Sequence, residues 1–76
     1  MLVIDGMRKA PTGRTYEAWV IEGSKPSPAG LFKGGGTSVV PLSRLVRPGS
    51  VVAVTVEREQ GAEMPSGNPI LSAKLS

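Results

Sequence analysis

The residues of this chain that could do chemistry are few, and the most suggestive pair is Glu57 and Glu59. Two carboxylates two positions apart on a strand share a face, where they can act as general acid and base or bind a hard cation. However, Arg58 lies between them, and no third acidic residue accompanies them on the strand. We therefore interpret the pair as the charged end of a strand, without a catalytic or metal-binding role.

The glycine run at residues 34–36 is the second candidate, because glycine-rich loops can bind phosphate through their backbone. A phosphate-binding loop of that kind continues with Gly-Lys-Ser/Thr and a helix. Here Thr37, Ser38 and a valine-rich stretch follow instead. Glycine adopts positive φ without steric cost, so the run is predicted to be the tip of a hairpin.

Activated nucleophiles are also missing, since the chain contains no cysteine and no histidine. This removes thiolate chemistry and disulfides, and with them the commonest general base and metal ligand. The serines have neither a histidine nor a Ser-x-x-Lys pattern to activate them. The sequence therefore predicts no catalytic residue, no metal site and no cofactor, and it leaves the redox compartment open.

The charge of the chain is modestly positive, at a formal +3. Its basic residues are spread along the sequence, and their longest cluster is the pair Arg8 and Lys9. Proteins that bind nucleic acids or anionic membranes usually concentrate their charge, so we interpret the basic residues as a solvated surface. The longest uncharged runs are about half of a bilayer span, and no signal peptide is visible. The chain as written is expected to be soluble.

Valine-rich runs separated by glycine and proline predict the elements that must position these residues. The 76 residues suffice for one domain with a thin core. Turns at the spacing of a sandwich or barrel favour an all-β fold, a small antiparallel β-sandwich of about six short strands. No convincing helical period occurs, and the weak candidate at residues 42–49 is too short. The predicted strands are 1–7, 15–22, 29–33, 37–45, 50–59 and 69–76.

The connections between these strands carry turn residues. Asp5 and Gly6 are expected to end the first strand, and residues 23–30 to form a turn. Residues 47–50 place proline second and glycine third, the signature of a type II turn. Pro41 is expected at an edge or a bulge.

All three aromatic residues lie in one predicted hairpin, as Tyr16, Trp19 and Phe32. Tyr16 and Trp19 are an odd number of positions apart, so they lie on opposite faces of a strand and cannot form one base-stacking platform. Both faces of that strand carry apolar side chains, which is typical of a central strand. We interpret Trp19 as a core residue beside Ile21, and the other two rings as core or core-margin residues.

The order of the motifs resembles the C-terminal, extracytoplasmic domain of the anti-sigma-K factor (RskA) family. Members carry a Gly-Lys/Arg-Thr-Tyr-x-x-Trp strand, then Ala-Gly-Leu-Phe, a Val-Thr-Val-Glu strand and a Pro-Thr/Ser-Gly loop. The matching residues here are Gly13, Arg14, Thr15, Tyr16, Trp19, Ala29, Gly30, Leu31, Phe32, Val54, Thr55, Val56, Glu57, Pro65, Ser66 and Gly67. We expect a structural role for Tyr16, Trp19, Gly30, Leu31, Phe32, Val54, Val56, Glu57, Pro65 and Gly67.

The resemblance implies a non-catalytic domain of a single-pass membrane protein. In the family, a cytoplasmic helical segment holds a sigma factor inactive, a membrane helix follows, and the β-rich domain lies outside the cell membrane. Proteolysis of the outer and membrane parts releases the sigma factor. The sigma factor and the membrane are thus expected to be contacted only through segments absent from this chain, and nucleic acid is not an expected partner.

The chain departs from the family pattern at its start. The resemblance implies one or two strands before the Leu-Val-Ile-Asp-Gly strand, and residues 1–76 are expected to be a single domain that lacks its first strand or strands. A sheet without its edge strand exposes backbone donors and acceptors. We therefore expect a second copy to cover that edge by strand pairing or exchange, which gives a homodimer.

Two other functions stay open at this point. The chain could be a free-standing β-module that binds single-stranded nucleic acid, or one that binds cell-wall carbohydrate. Binding that falls steeply with salt and quenches Trp19 fluorescence would favour the first, and an exposed Trp19 or Tyr16 would favour the second.

Overall fold

Six antiparallel β-strands and no helix make up residues 2–40 and 47–74, the part of the chain that the computed structural model describes. The strands are β1 (Leu2–Met7), β2 (Arg14–Glu22), β3 (Lys25–Phe32), β4 (Gly36–Val40), β5 (Val51–Arg58) and β6 (Leu71–Lys74). The prediction of an all-β fold with six short strands is confirmed.

The strands form two sheets. Four of them make one sheet in the order β3-β2-β5-β6, and β1 pairs with β4 in a two-stranded ribbon. β2 is central, as its two apolar faces predict, because it pairs with β3 on one side and β5 on the other. Since side chains alternate along a strand, the four-stranded sheet has a face toward the ribbon and a face away from it.

The face toward the ribbon, here called the ribbon face, is apolar. Ile4 of β1 packs with Tyr16 of β2 and Val54 of β5 in a buried cluster. Partly buried apolar residues pack around it, namely Met7, Ala10, Phe32 and Val56. The rings of Tyr16 and Phe32 contribute a tilted contact with their centroids 5.3 Å apart. This cluster joins the ribbon to the larger sheet.

The prediction that residues 23–30 form a turn is wrong, because β3 already begins at Lys25 and the turn is confined to residues 23 and 24. Pro26 and Pro28 lie within the strand. A proline cannot donate a ladder hydrogen bond, but an edge strand has one side without a partner, and β3 is at the edge of its sheet. A register shift opposite Ala18 and Trp19 gives the strand a bulge.

The glycine run at residues 34–36 is not the tip of a hairpin, which corrects the prediction. It connects β3 of the larger sheet to β4 of the ribbon. Gly34 has a φ of 75°, and a Cβ atom there would overlap the Arg8 carbonyl oxygen and lie 2.7 Å from Cε2 of Tyr16. Glycine is needed at this position both for its backbone angle and for the close approach to the ribbon face.

Three smaller predictions can also be compared with the structure. β1 ends at Met7, as the predicted strand at residues 1–7 does, but Asp5 and Gly6 lie within it, at a register shift, and do not end it. The type II turn is confirmed, since Ser50 N donates to Arg47 O at 3.0 Å and Gly49 has a φ of 88°. Pro41 and most of the weak helical candidate, residues 42–46, lie outside the described residues.

Candidate functional site

The second face of the four-stranded sheet is polar and nevertheless buried. Thr15, Glu17 and Trp19 of β2 lie directly opposite Glu57, Thr55 and Ala53 of β5 in the strand register. None of these six side chains is more than 3% exposed. Glutamate is almost never fully buried unless it is paired, so this face needs partners from outside the sheet.

Those partners come from the segment between β5 and β6, residues 59–70, which we call the covering loop. Its Ala62 N–H donates to Oε1 of Glu17 at 2.8 Å, and its Ser66 N–H donates to Oε2 of Glu57 at 3.1 Å. At Gly61 the loop lies so close to the sheet that an added Cβ would be 3.1 Å from the Leu31 side chain. We call the covered side of the sheet the loop face.

A chain of hydrogen bonds runs through the loop face from Trp19 to the covering loop. The indole Nε1 of Trp19 donates to Oγ1 of Thr55 at 2.8 Å, and this hydroxyl donates to Oε2 of Glu57 at 2.5 Å. The Glu57 oxygen also accepts the Ser66 N–H. Thr55 therefore uses its hydroxyl as acceptor and as donor. Among the described residues, every buried side-chain nitrogen and oxygen has a hydrogen-bond partner.

The two buried glutamates have pKa values shifted in opposite directions. Burial raises the pKa of Glu17 above its ordinary value, the Ala62 N–H opposes that rise, and the nearby charge of Glu57 adds to it. Burial acts in the same direction on Glu57. Its hydrogen bonds from Thr55 and Ser66, together with the positive charge of Arg14, outweigh burial and lower its pKa. The number of donors to each carboxylate decides the sign.

Glu57 is a charged residue near the end of β5, as the sequence predicts, but it is buried. The covering loop folds back over the strand and supplies the donors that make burial of the carboxylate tolerable. Glu59 lies beyond the end of β5, is well exposed and is 3.6 Å from Nζ of Lys33. The two carboxylates do not form a pair. The sequence signal that could have shown the burial is Thr55, which shares a face with Glu57 and is directly opposite Glu17.

The structure distributes the ten expected motif residues over both faces and the loop. Tyr16 and Val54 belong to the buried cluster of the ribbon face, and Phe32 and Val56 pack around it. Trp19 and Glu57 belong to the hydrogen-bonded chain of the loop face. The sequence interpretation missed Glu17, which has the same kind of loop contact as Glu57.

The other four motif residues lie near the covering loop or on β3. Gly30 is half-buried opposite Ala18, and Leu31 is exposed on one side while it contacts the loop at Gly61. In the loop itself Pro65 is half-buried and Gly67 is exposed.

The loop face has a structural role, as a clasp in which Glu17 and Glu57 hold the covering loop on the sheet by hydrogen bonds. Both carboxylates are shielded from solvent and engaged by backbone N–H groups, so neither can approach a substrate. Within residues 2–40 and 47–74, no cluster of three or more Asp, Glu, Cys or His side chains could hold a metal ion. The same residues contain no helix of the length and hydrophobicity that a membrane crossing requires.

Comparison with known proteins gives one match. No curated protein and no solved structure is detectably similar to the chain. A protein-family model described as "Anti-sigma-K factor rskA, C-terminal" matches residues 1–70. The match spans both sheets up to the end of the covering loop, and it confirms the family resemblance of the sequence motifs. The chain therefore belongs to the anti-sigma-K factor RskA family, whose C-terminal domain it represents.

Proposed function

We propose that this chain is the extracytoplasmic, non-catalytic domain of a transmembrane anti-sigma factor and takes part in regulating sigma-factor-dependent transcription. The observation that carries the proposal is the family match over residues 1–70. The family is regulatory and associated with membranes. In this proposal the sigma factor is bound by a cytoplasmic segment of the full-length protein, and the β-domain controls how stable the outer part is.

The loop face supports a structural rather than an enzymatic role. Its two carboxylates are the acidic groups with shifted pKa values, and perturbed carboxylates often mark active sites. Here both groups are at most 3% exposed and bind the covering loop. In such a domain the regulated property is folding stability. When the hydrogen bonds to Glu17 and Glu57 are lost, the covering loop becomes accessible to proteases.

The aromatic residues do not support the alternative of a module that binds nucleic acid or carbohydrate. Such modules stack ligand rings on exposed aromatic side chains. Trp19 is 0% exposed and Tyr16 is 6% exposed, on opposite faces of β2. Phe32 is half-buried against Tyr16.

The proposal can be tested by locating the native protein in its source cells with an antibody against this domain. We expect a band well above 7.9 kDa in the membrane fraction, digested by protease added to spheroplasts before lysis. A band in the membrane fraction that resists this protease until lysis would place the domain on the cytoplasmic side. A soluble band at the mass of this chain would contradict the regulatory proposal.

We also propose that two copies of the domain associate through an unpaired sheet edge. In the described residues, β1 and β4 pair only with each other. Val3 and Val39 are opposite each other in that ribbon, and they are 57% and 58% exposed. Light scattering at micromolar concentration is expected to give twice the mass of the chain, and Val39→Lys to reduce it. A monomer in the unmodified protein would contradict this proposal.

A further inference from the structure

A groove of about 480 Å³ lies at one end of the four-stranded sheet. It lies where β2 begins and where β3 and β5 end, so three chain segments meet there. Its floor and walls are residues 9–14, Lys33 and Glu59. This volume is within the range of small-ligand sites, roughly 300–1,000 Å³.

The charge of the groove is strongly one-sided. Lys9, Arg14 and Lys33 line it, and Glu59 is the only acidic residue in the lining. The antiparallel order brings together cations that are far apart in the sequence. A fourth cation, Arg58, is directly opposite Arg14 in the strand register. These cations are exposed, as the interpretation of a solvated surface predicts, but strand pairing brings them together at this end of the sheet.

The backbone that carries these cations is held by hydrogen bonds. Ala10 N donates to Lys33 O at 2.8 Å, and Arg14 N donates to Pro11 O at 2.9 Å. Gly13, with a φ of 78°, closes the latter turn. The connector before β2 is thus tied to the end of β3, which fixes the two sides of the groove before any ligand arrives. Such preorganisation reduces the entropic cost of binding.

The cations themselves are only partly neutralised. Lys33 donates to Arg14 O at 3.1 Å and is 3.6 Å from Glu59, but this ion pair is exposed and therefore weak. Over the described part of the chain, no hydrogen bond or ion pair engages the charged groups of Lys9 and Arg14, although the charge of Arg14 also acts on the buried Glu57 carboxylate. Like charges directly opposite on antiparallel strands are destabilising, which applies to Arg14 and Arg58. An anion in the groove would relieve that repulsion.

We propose that this groove binds a phosphate-bearing anion with at least two negative charges. A guanidinium group can bind a phosphate through two parallel hydrogen bonds, and the ammonium groups of Lys9 and Lys33 add point charges around it. The groove is open to solvent, so a single negative charge gains little there, whereas a multivalent anion engages several cations at once. This inference does not depend on the proposed regulatory function.

The test is a titration of the ¹⁵N-labelled chain with inorganic pyrophosphate at low ionic strength. We expect saturable shifts of the amide signals of residues 9–14 and 33, and weaker binding at higher salt. The double variant Lys9→Gln/Arg14→Gln should bind at least about tenfold more weakly, as the loss of one charged hydrogen bond predicts. The matched control, Lys25→Gln/Arg47→Gln, removes the same charge at the opposite end of the sheet and should bind as the unmodified chain does.

A second arm distinguishes a free anion from a lipid headgroup. The same three proteins are sedimented with vesicles that contain cardiolipin, whose headgroup carries two phosphates, or with vesicles of phosphatidylcholine. If the unmodified chain and the control bind pyrophosphate and the groove variant, Lys9→Gln/Arg14→Gln, does not, a soluble phosphate ligand is supported. Binding to the cardiolipin vesicles alone, lost by that same variant, supports a headgroup. The proposal is overturned if the unmodified chain binds neither pyrophosphate nor the cardiolipin vesicles. It is also overturned if Lys25→Gln/Arg47→Gln loses as much binding as Lys9→Gln/Arg14→Gln.

Discussion

The two faces of the four-stranded sheet are buried to a similar degree by opposite means. The ribbon face is closed by apolar side chains that meet Ile4 of a second sheet. The loop face is closed by an irregular segment, whose backbone N–H groups must find acceptors once they leave water. Glu17 and Glu57 supply two of these acceptors. A loop can therefore cover a sheet where the sheet offers polar groups. Here the buried carboxylates accept the hydrogen bonds that the loop backbone needs.

This difference predicts how each face responds to substitution. Apolar packing has no direction, and a core tolerates swaps that conserve volume. Hydrogen bonds depend on both partners, and removal of one leaves a buried group unsatisfied. The loop face should therefore be the more sensitive to small chemical changes, and the ribbon face to changes in shape.

The largest effect is expected from Trp19→Ala, because this ring is fully buried and donates to Thr55. Loss of a buried ring of this size costs about 3–5 kcal/mol, enough to unfold a small domain. Circular dichroism during urea unfolding measures it. Trp19→Phe is the control, since it keeps a smaller aromatic ring in the core and loses the donor. A Trp19→Ala protein with an unchanged urea midpoint would show that the loop face does not contribute to the core.

The next largest effect separates the two glutamates. Glu57→Gln should lower the free energy of unfolding by about 1–3 kcal/mol at neutral pH, because the charge-assisted bonds from Thr55 and Ser66 are weakened. Glu17→Gln should be nearly neutral, since the amide oxygen can still accept the Ala62 N–H and no charge is buried. Urea midpoints of the two variants test this. Equal losses of unfolding free energy in the two variants would mean that the additional donors around Glu57 do not stabilise its charged form more than that of Glu17.

A third substitution tests the shape sensitivity of the ribbon face. Gly34→Ala should destabilise the domain by more than about 1 kcal/mol, because positive φ and overlap with Tyr16 act together. Gly23→Ala is the matched control, since Gly23 also has positive φ but nothing lies within 4 Å of an added Cβ. Thermal unfolding of the two variants should rank Gly34→Ala lower. An equal loss of stability in both variants would show that overlap with Arg8 and Tyr16 does not contribute, and that the positive φ alone is responsible.

The smallest effect is the dependence of stability on pH. The raised pKa of Glu17 means that its contribution is fully present at acidic pH and is lost as the pH rises through that pKa. The lowered pKa of Glu57 has the opposite sign, so its contribution is lost as the pH falls below about 4. Stability should therefore rise slightly on mild acidification and then fall.

Urea midpoints measured across the acidic range test this pH dependence. Glu17→Gln should abolish the rise and leave the fall, whereas Glu57→Gln should reduce the fall. A rise that persists in Glu17→Gln would show that the buried Glu17 carboxyl does not cause it.

The sequence predicts those parts of the fold that depend on alternation. β2 and β5 have regular patterns because each packs on both faces, so they were placed nearly to the residue. β3 was shortened because Pro26 and Pro28 look like turn residues until the strand is known to be an edge. Thr55 is the only nearby signal for the burial of Glu57, since the other donor, Ser66, is nine positions away. The burial of Glu17 has no nearby signal, because its donor, Ala62, is 45 positions away. The basic groove was missed for the same reason, because its cations meet only once the strands are paired.

The chain of hydrogen bonds from the indole to the covering loop gives the domain an internal optical probe. Trp19 is the only tryptophan, so all of the indole fluorescence comes from the loop face. Detachment of the loop removes the Ser66 donor from Glu57 and admits water beside Thr55, which shifts the emission to longer wavelength. Opening of the loop can thus be followed in the unlabelled protein, separately from melting of the strands, by comparing the emission maximum with the far-ultraviolet dichroism.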